Sequence, residues 1–351
     1  MYIKNPSSKF ANKVWITVAI TSFVVLLFSL FILTFDVILL VFAAVIVAVF
    51  FRGLSSLICR TTGWPGNLCL VATILLTIFL TAGFLWVSES SIAKQATQFE
   101  KVIPLTIKNA KDKLNQSTLG KRIVEKLSSN KTRKDLEKGA SKIFKSTFGV
   151  FGDIYVIFFL GIFFTISPAV YKKIIILLLP NRWHREADNV LLRSAENLSK
   201  WLKGQLFAMF VVFVLTATGL LILGIKMWLV LALIAGILNF IPNFGPLIAM
   251  IPAVLVGLLH GPGTAAIVAG LYIFIQVVES NFITPMVQKK LLNTPPAIII
   301  LAQLFIAPLS GGWGLVLATP IMVLLMTFII ELYVKKKNPN QYIYDKNITY
   351  Y

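Results

Sequence analysis

The sequence predicts an all-α, polytopic helical membrane protein, and three observations carry that prediction. Of its 351 residues, 57% are hydrophobic and only 13% charged, whereas a soluble domain is about 45–50% apolar and about a quarter charged. Mean hydropathy is +0.84. Apolar runs near the ~20 residues needed to cross a bilayer recur at 14–35, 37–51, 68–88, 148–168, 205–225, 228–257, 264–280 and 297–333. These eight or so hydrophobic segments divide the chain into N-terminal membrane spans (1–88), an extracytoplasmic amphipathic helical segment (89–147), a core of spans and broken hairpins (148–335) and a cytoplasmic tail (336–351).

The first run follows Lys4, Lys9 and Lys13. It is too long for a secretory leader and ends in Leu30-Phe31-Ile32-Leu33 rather than small residues, so it reads as an uncleaved span. Asp36 separates it from the second run so tightly that the two are expected to form a hairpin. Residues 89–147 repeat Ile92, Ala96, Phe99, Ile103, Ile107, Ala110 and Leu114 at helical spacing, with Pro104 set to kink or divide the helix. A solvated helix pair, an oligomer contact or a helix lying on headgroups all fit that stripe. Residues 177–205 carry Val190, Leu191, Ala195, Leu198 and Leu202 on one face, which predicts an amphipathic helix leading into the span at 205–225. Trp183 and Trp201 are expected to anchor it at the interface.

The net charge of +19 resides in the polar segments. Anionic lipid headgroups account for it, and nucleic acid is not an expected partner. Lysine and arginine clusters before 14, after 51, between 172 and 203 and at Lys335, Lys336 and Lys337 fit eight crossings with both termini cytoplasmic. Residues 89–147, with fourteen Lys/Arg against six Asp/Glu, oppose that assignment but near the length at which charge ceases to govern translocation. Cys59 and Cys69 are too few for a disulfide framework and lack zinc spacing; His184 and His260 form no metal motif. No phosphate-binding glycine loop and no nucleophile–base pair occurs, so neither a cofactor nor an enzyme is expected.

Chemistry gathers at three breaks. In NFIPNFGP, residues 239–246, Pro242 and Pro246 remove two backbone donors, Gly245 permits a tight turn, and Asn239 and Asn243 would share a helix face. Bare backbone at membrane depth is tolerated only inside protein or against a wet cavity. The freed carbonyls and amides are therefore candidate ligands, in either a kinked span or a re-entrant hairpin. QVVESNFITPMVQKK places Gln276, Glu279, Asn281 and Thr284 in or at the end of a span closed by Pro285. A carboxylate at that depth costs about 2.5–3.5 kcal/mol on insertion scales, which makes Glu279 a functional candidate; the alternative is an interfacial carboxylate paired with Lys289 or Lys290. The third break, APLSGGWGLVLATP, divides 297–333 through Pro308, Gly311, Gly312, Gly314 and Pro320, as a hinge or second hairpin. Paired Pro/Gly interruptions of this kind point to a transporter's binding region.

The order GQLFAM, NFIPNFGPLIAMIP, QVVESNFITPMV and GGWGLVLATP, preceded by LLPNRWHREADNVL, resembles the autoinducer-2 exporter (AI-2E) family of bacterial permeases. The likeness is specific over about residues 150–335 and extends to the N-terminal region in layout; Asn243 stands where the family usually has tyrosine. The resemblance implies a homo-oligomeric inner-membrane protein, whose relatives export the quorum-sensing molecule autoinducer-2 or exchange sodium for protons. The combined expectation is a secondary, non-ATP exporter of a small polar solute, with a cation/proton antiporter and a non-transporting membrane scaffold as alternatives.

Overall fold

The computed structural model describes residues 6–80, 82–83, 152–285 and 296–337, and these form helices and turns without a strand. The segment 89–147, Lys289, Lys290 and residues 338–351 lie outside the described residues. In chain order the helices are α1 (Pro6–Thr62), α2 (Gly66–Leu80), α3 (Gly152–Ile166), α4 (Pro168–Leu177), α5 (His184–Ile222), α6 (Trp228–Leu238), α7 (Phe244–Leu259), α8 (Pro262–Val278) and α9 (Pro296–Ile329). Among them, Val14–Thr62, Asn181–Ile222, Pro262–Ile283 and Ala297–Lys337 are long and apolar enough to cross a membrane, and the bent pair α3–α4 would make a fifth. The protein is a multi-pass helical membrane protein.

The hairpin expected at Asp36 is not formed. α1 runs unbroken through it for 57 residues. The reason is local: no proline or glycine occurs between Pro6 and Gly53, and one aspartate cannot supply the turn that a helical hairpin needs. Asp36 serves a tertiary contact instead, accepting a hydrogen bond from Ser310 Oγ. Because two expected spans become one helix, counting crossings no longer places the two termini on the same side. The two cysteines, unassigned by the sequence, are joined as a disulfide across the Trp64-Pro65-Gly66 turn between α1 and α2.

α5 is the bundle's measuring rod. It is one 39-residue helix, so the amphipathic stretch predicted from the Val190–Leu198–Leu202 stripe, all three buried, continues straight into the apolar span. It ends in Gly224 at φ 68°, with the Gly224 and Ile225 amides bonded back to Leu221 and Leu220, a glycine-dependent helix stop. Trp201 does not anchor at an interface: it is 4% exposed and meets the Phe240 ring edge-on at 5.7 Å. A large aromatic on the stripe face of an amphipathic helix is drawn into the core it covers. Trp183, just before the helix starts, remains partly exposed beneath the Lys336 ammonium.

Two cores hold the bundle together. Leu220, Ile225, Leu231, Ala235, Ala249, Ala253, Val256 and Val268 join α5 through α8. Leu39, Ala43, Ile46, Ile157, Leu198, Leu202, Leu317 and Val323 join α1, α3, α5 and α9. Small residues set the close approaches: a Cβ on Gly236 would lie 2.8 Å from Phe213 Cβ, and one on Gly257 3.0 Å from Ala265 Cα. Close packing through small residues is the usual source of helix association where lipid supplies no hydrophobic drive.

Candidate functional site

Helices α6 and α7 have 11 and 16 residues, about 16 and 24 Å at 1.5 Å per residue, so neither crosses a ~30 Å hydrocarbon core alone. NFIPN is the turn between them. Asn243 takes φ 68° and ψ −48°, a γ-turn closed by the Phe244 amide onto the Pro242 carbonyl at 2.9 Å. The Gly245 amide closes the turn onto the Ile241 carbonyl at 2.9 Å. A Cβ on Gly245 would fall into the Leu238 carbonyl group, with Leu238 C at 2.5 Å, so the chain can reverse here only at glycine. The base of the turn is interior, with Asn239, Gly245 and Pro246 buried, while Asn243 at its apex is exposed and does not share a buried face with Asn239. The break is thus a hairpin sheltered by protein, rather than a kinked span.

Two carbonyls of the turn are engaged by side chains from other helices. Gln205 Nε2, from α5, donates to the Asn239 carbonyl at 2.6 Å, and Gln303 Nε2, from α9, donates to the Pro242 carbonyl at 3.0 Å. Gln205 stands in GQLFAM but carried no role in the sequence reading, and Gln303 was not singled out at all. The signal that could have found them is the polar amide in an otherwise apolar span, which must find a partner when buried.

α9 breaks where the glycines predict. Ser310 (φ −137°, ψ 20°) and Gly311 (φ 55°, ψ −128°) leave helical geometry, and a Cβ on Gly314 would lie 2.5 Å from the Ile306 carbonyl oxygen. Residues eight apart in a straight helix are ~12 Å apart along the axis, so α9 folds back on itself as a second hairpin. Pro320, buried, lies inside its second arm, and Pro308 lies just before the reversal. Its tip is pinned from two sides: Ser310 by Asp36, and Trp313 Nε1, which donates to Asp153 Oδ2 at 2.7 Å.

Contacts along α5 show how the hairpins face. Glu186 pairs with Lys336 and Asn197 with Thr327, so the second arm of α9 runs antiparallel to α5. Gln205 meets Asn239, and Met209 and Phe213 meet Gly236, so α6 runs antiparallel to α5 as well and brings its tip to the height of Gln205. Continuing the register of the α9 arm puts Ser310 roughly eight residues beyond Gln205, about 12 Å farther along α5. The two tips therefore point in opposite directions and overlap in depth.

The second polar cluster meets the first tip. α8 ends in a π-turn, Glu279–Ile283, a distortion found often at functional sites. Glu279 is 6% exposed, with Asn239 and Gln276 within interacting range of its carboxylate. Yet among the described residues Glu279 Oε2, Gln276 Oε1 and both polar atoms of the Asn239 side chain have no hydrogen-bond partner. Gln276 Nε2 donates to Ser280 Oγ at 3.2 Å. The structure thus joins Asn239, Gln276 and Glu279, with Pro242, Asn243, Gly245 and Pro246 as their scaffold. It separates Asn281, which is exposed and donates to the Val277 carbonyl of its own helix. Thr284 and Pro285 continue as helix beyond the π-turn, and Gly311, Gly312 and Gly314 belong to the other tip.

A profile of the AI-2E family transporters matches residues 20–334, which takes in both hairpins and the π-turn. Curated relatives are candidate transport proteins by name. YrrI of Bacillus subtilis (strain 168) is 29% identical over 160 residues, 46% of this chain and 45% of its own length. YueF of the same strain is 28% identical over 162 residues, 46% and 44% of the two chains. A Haemophilus influenzae relative is 26% identical over 186 residues, 52% and 53% of the two. The chain spans about half the length of the curated relatives it matches. With the profile covering nearly the whole described fold, this chain belongs to the AI-2E transporter family.

Proposed function

We propose that the protein is a secondary permease that exports a small polar solute, with autoinducer-2 the first candidate, and that it works without ATP and without an enzymatic step. The observation that supports this reading is the orphaned polar cluster. Asn239 is fully buried, and among the described residues its amide finds no partner, nor does Oε2 of the buried Glu279 beside it. Leaving such groups unpaired costs about 1–3 kcal/mol each, which a polar solute passing between the hairpins would recover. The pathway runs past Asn239, Gln276 and Glu279, and the α9 tip at Gly311–Gly314 supplies the hinge. In proteoliposomes loaded with autoinducer-2, the wild type should release solute faster than an Asn239→Ala, Glu279→Ala double variant. Equal rates defeat the proposal.

A second reading, cation/proton exchange, draws on the donor set. Glu279 Oε2, Asn239 Oδ1 and Gln276 Oε1 are unpartnered oxygens around one carboxylate, a set suited to a hard cation. Glu279→Gln should then abolish cation-driven proton movement, read with a pH-sensitive dye, at every pH; exchange that survives removes this role. We place the cytoplasm on the side of the bundle toward which α5 runs back from Lys203, which meets Gly53, to Glu186, which pairs with Lys336 about 25 Å farther along the helix, because the cationic clusters lie on that side. This orientation puts the C-terminal tail in the cytoplasm of a bacterial inner membrane. A homo-oligomer, as the family implies, completes the proposal and is read by cross-linking in native membranes.

A further inference from the structure

Away from the hairpins, α1, α4 and α5 enclose an open groove of about 930 Å³. Its body is apolar: Val41, Val45 and Val49 form one stripe of α1, faced by Ile174 and Ile175 of α4. Its charged lining is mainly cationic: Arg52, Lys172, Lys200 and Lys203, with Glu196 beside them. The acids nearby are committed elsewhere. Glu196 pairs with Arg193 at 3.0 Å and Asp188 with Lys172 at 2.6 Å. Arg52 spends only its Nε, on the Thr165 carbonyl at 3.0 Å. Among the described residues Arg52, Lys200 and Lys203 therefore have no carboxylate partner.

The groove's dimensions and position match one kind of occupant. From Val41 to Arg52 the α1 stripe rises eleven residue steps, about 16 Å, which is one leaflet's share of a ~30 Å hydrocarbon core. At the same place the chain turns by 88° between α3 and α4. α4 thus lies across the bundle direction with Val170, Ile174 and Leu178 exposed, the disposition of a helix resting in the interface. A charged rim at headgroup height above an apolar wall one leaflet deep is complementary to an anionic amphiphile, and basic pockets between membrane helices hold such headgroups.

We propose that this groove is a binding site for an anionic phospholipid, its phosphate held by Arg52, Lys200 and Lys203 and an acyl chain lying along Val41–Val45–Val49. The site is separate from the hairpins, so it stands or falls independently of the transport reading. The test uses the full chain in nanodiscs of palmitoyl-oleoyl phosphatidylglycerol and phosphatidylcholine, with retained lipid measured by native mass spectrometry. The wild type should retain phosphatidylglycerol in preference to phosphatidylcholine. An Arg52→Gln, Lys200→Gln, Lys203→Gln variant should lose that preference, on the order of a hundred-fold for three charges. An Arg182→Gln, Arg185→Gln, Lys337→Gln variant, with the same loss of charge outside the groove, should keep it. Val45→Trp, which fills the apolar wall and leaves every charge, should weaken retention too. No preference in the wild type, equal loss in the control variant, or unchanged retention in Val45→Trp overturns the proposal; the last would mean a headgroup anion held without its chain.

Discussion

Gly245→Ala is the sharpest perturbation of the first hairpin, and its size can be worked from the geometry. The added methyl would sit 2.5 Å from Leu238 C and 3.1 Å from Asn239 N, whereas non-bonded carbon atoms rest at about 3.5–4.0 Å. The shortfall of about 1 Å is against backbone, which cannot rotate away as a side chain can. Overpacking ordinarily costs about 1–3 kcal/mol, and a clash with buried backbone belongs at the top of that range. Opening the tip would also stretch the Gln205 bond to the Asn239 carbonyl. With an unfolding entropy of ~2.1 cal/mol/K per residue, 351 residues give about 0.7 kcal/mol/K, so ~3 kcal/mol lowers Tm by about 4 °C. Gly312→Ala is the internal control, since nothing lies within 4 Å of where its Cβ would be. Thermal unfolding of both variants in detergent should show Gly245→Ala destabilised and Gly312→Ala unchanged. If the two melt together with the wild type, the close backbone approach at Leu238 is not why glycine is needed there.

Three further outcomes follow from the same contacts. Gln205→Leu should cost about 1–3 kcal/mol by leaving the buried Asn239 carbonyl unpaired, and combining it with Gln303→Leu should cost less than the sum, because both cap one turn; melting of the single and double variants checks this. Trp313→Phe removes a charge-assisted bond worth about 1.5–3 kcal/mol and should loosen the α9 tip, read as faster hydrogen exchange at Gly311–Gly314 while the α5 span keeps its protection. Gly314→Ala should disturb the second hairpin as Gly245→Ala disturbs the first, since its Cβ would lie 2.5 Å from the Ile306 carbonyl oxygen; an unaltered melting curve would contradict the fold-back.

Breaks were the legible part of this sequence. Proline and glycine act locally, so the turn at Asn239–Asn243 and the reversal at Ser310–Gly311 could be placed from residue type alone. The meeting of Asn239 with Glu279 was legible only as two separate polar anomalies. Their union depends on α7 and α8 returning the chain to the depth at which it left α6, a tertiary fact without a local signature. Asp36 failed for the opposite reason. It looked like a boundary because it is charged, yet charge alone does not bend a helix, and its partner Ser310 stands 274 residues away. Trp201 misled similarly, since amphipathic position and interfacial position call for the same residue type.

The opposed hairpins explain how unsatisfied groups can persist inside the bundle. Each tip is capped by side chains from a helix outside its own hairpin: the first by Gln205 and Gln303, the second by Asp36 and Asp153. At the first tip two backbone carbonyls are thereby satisfied, at the second two side chains are tied down, and among the described residues the atoms left unpaired beside the first tip are those of the Asn239 amide, the Gln276 oxygen and one oxygen of Glu279. Backbone capping fixes the frame, while side-chain groups can change partners without unfolding it. Gln303 couples the two elements directly, because it stands on the first arm of one hairpin and bonds the tip of the other. A shift of the α9 arm must then be felt at Pro242, three residues from Asn239. In a Gln303→Leu variant that coupling is cut while the unpaired groups of Asn239 and Glu279 are untouched, so solute binding should persist and turnover should fall. Loss of binding together with turnover would instead make Gln303 part of the site.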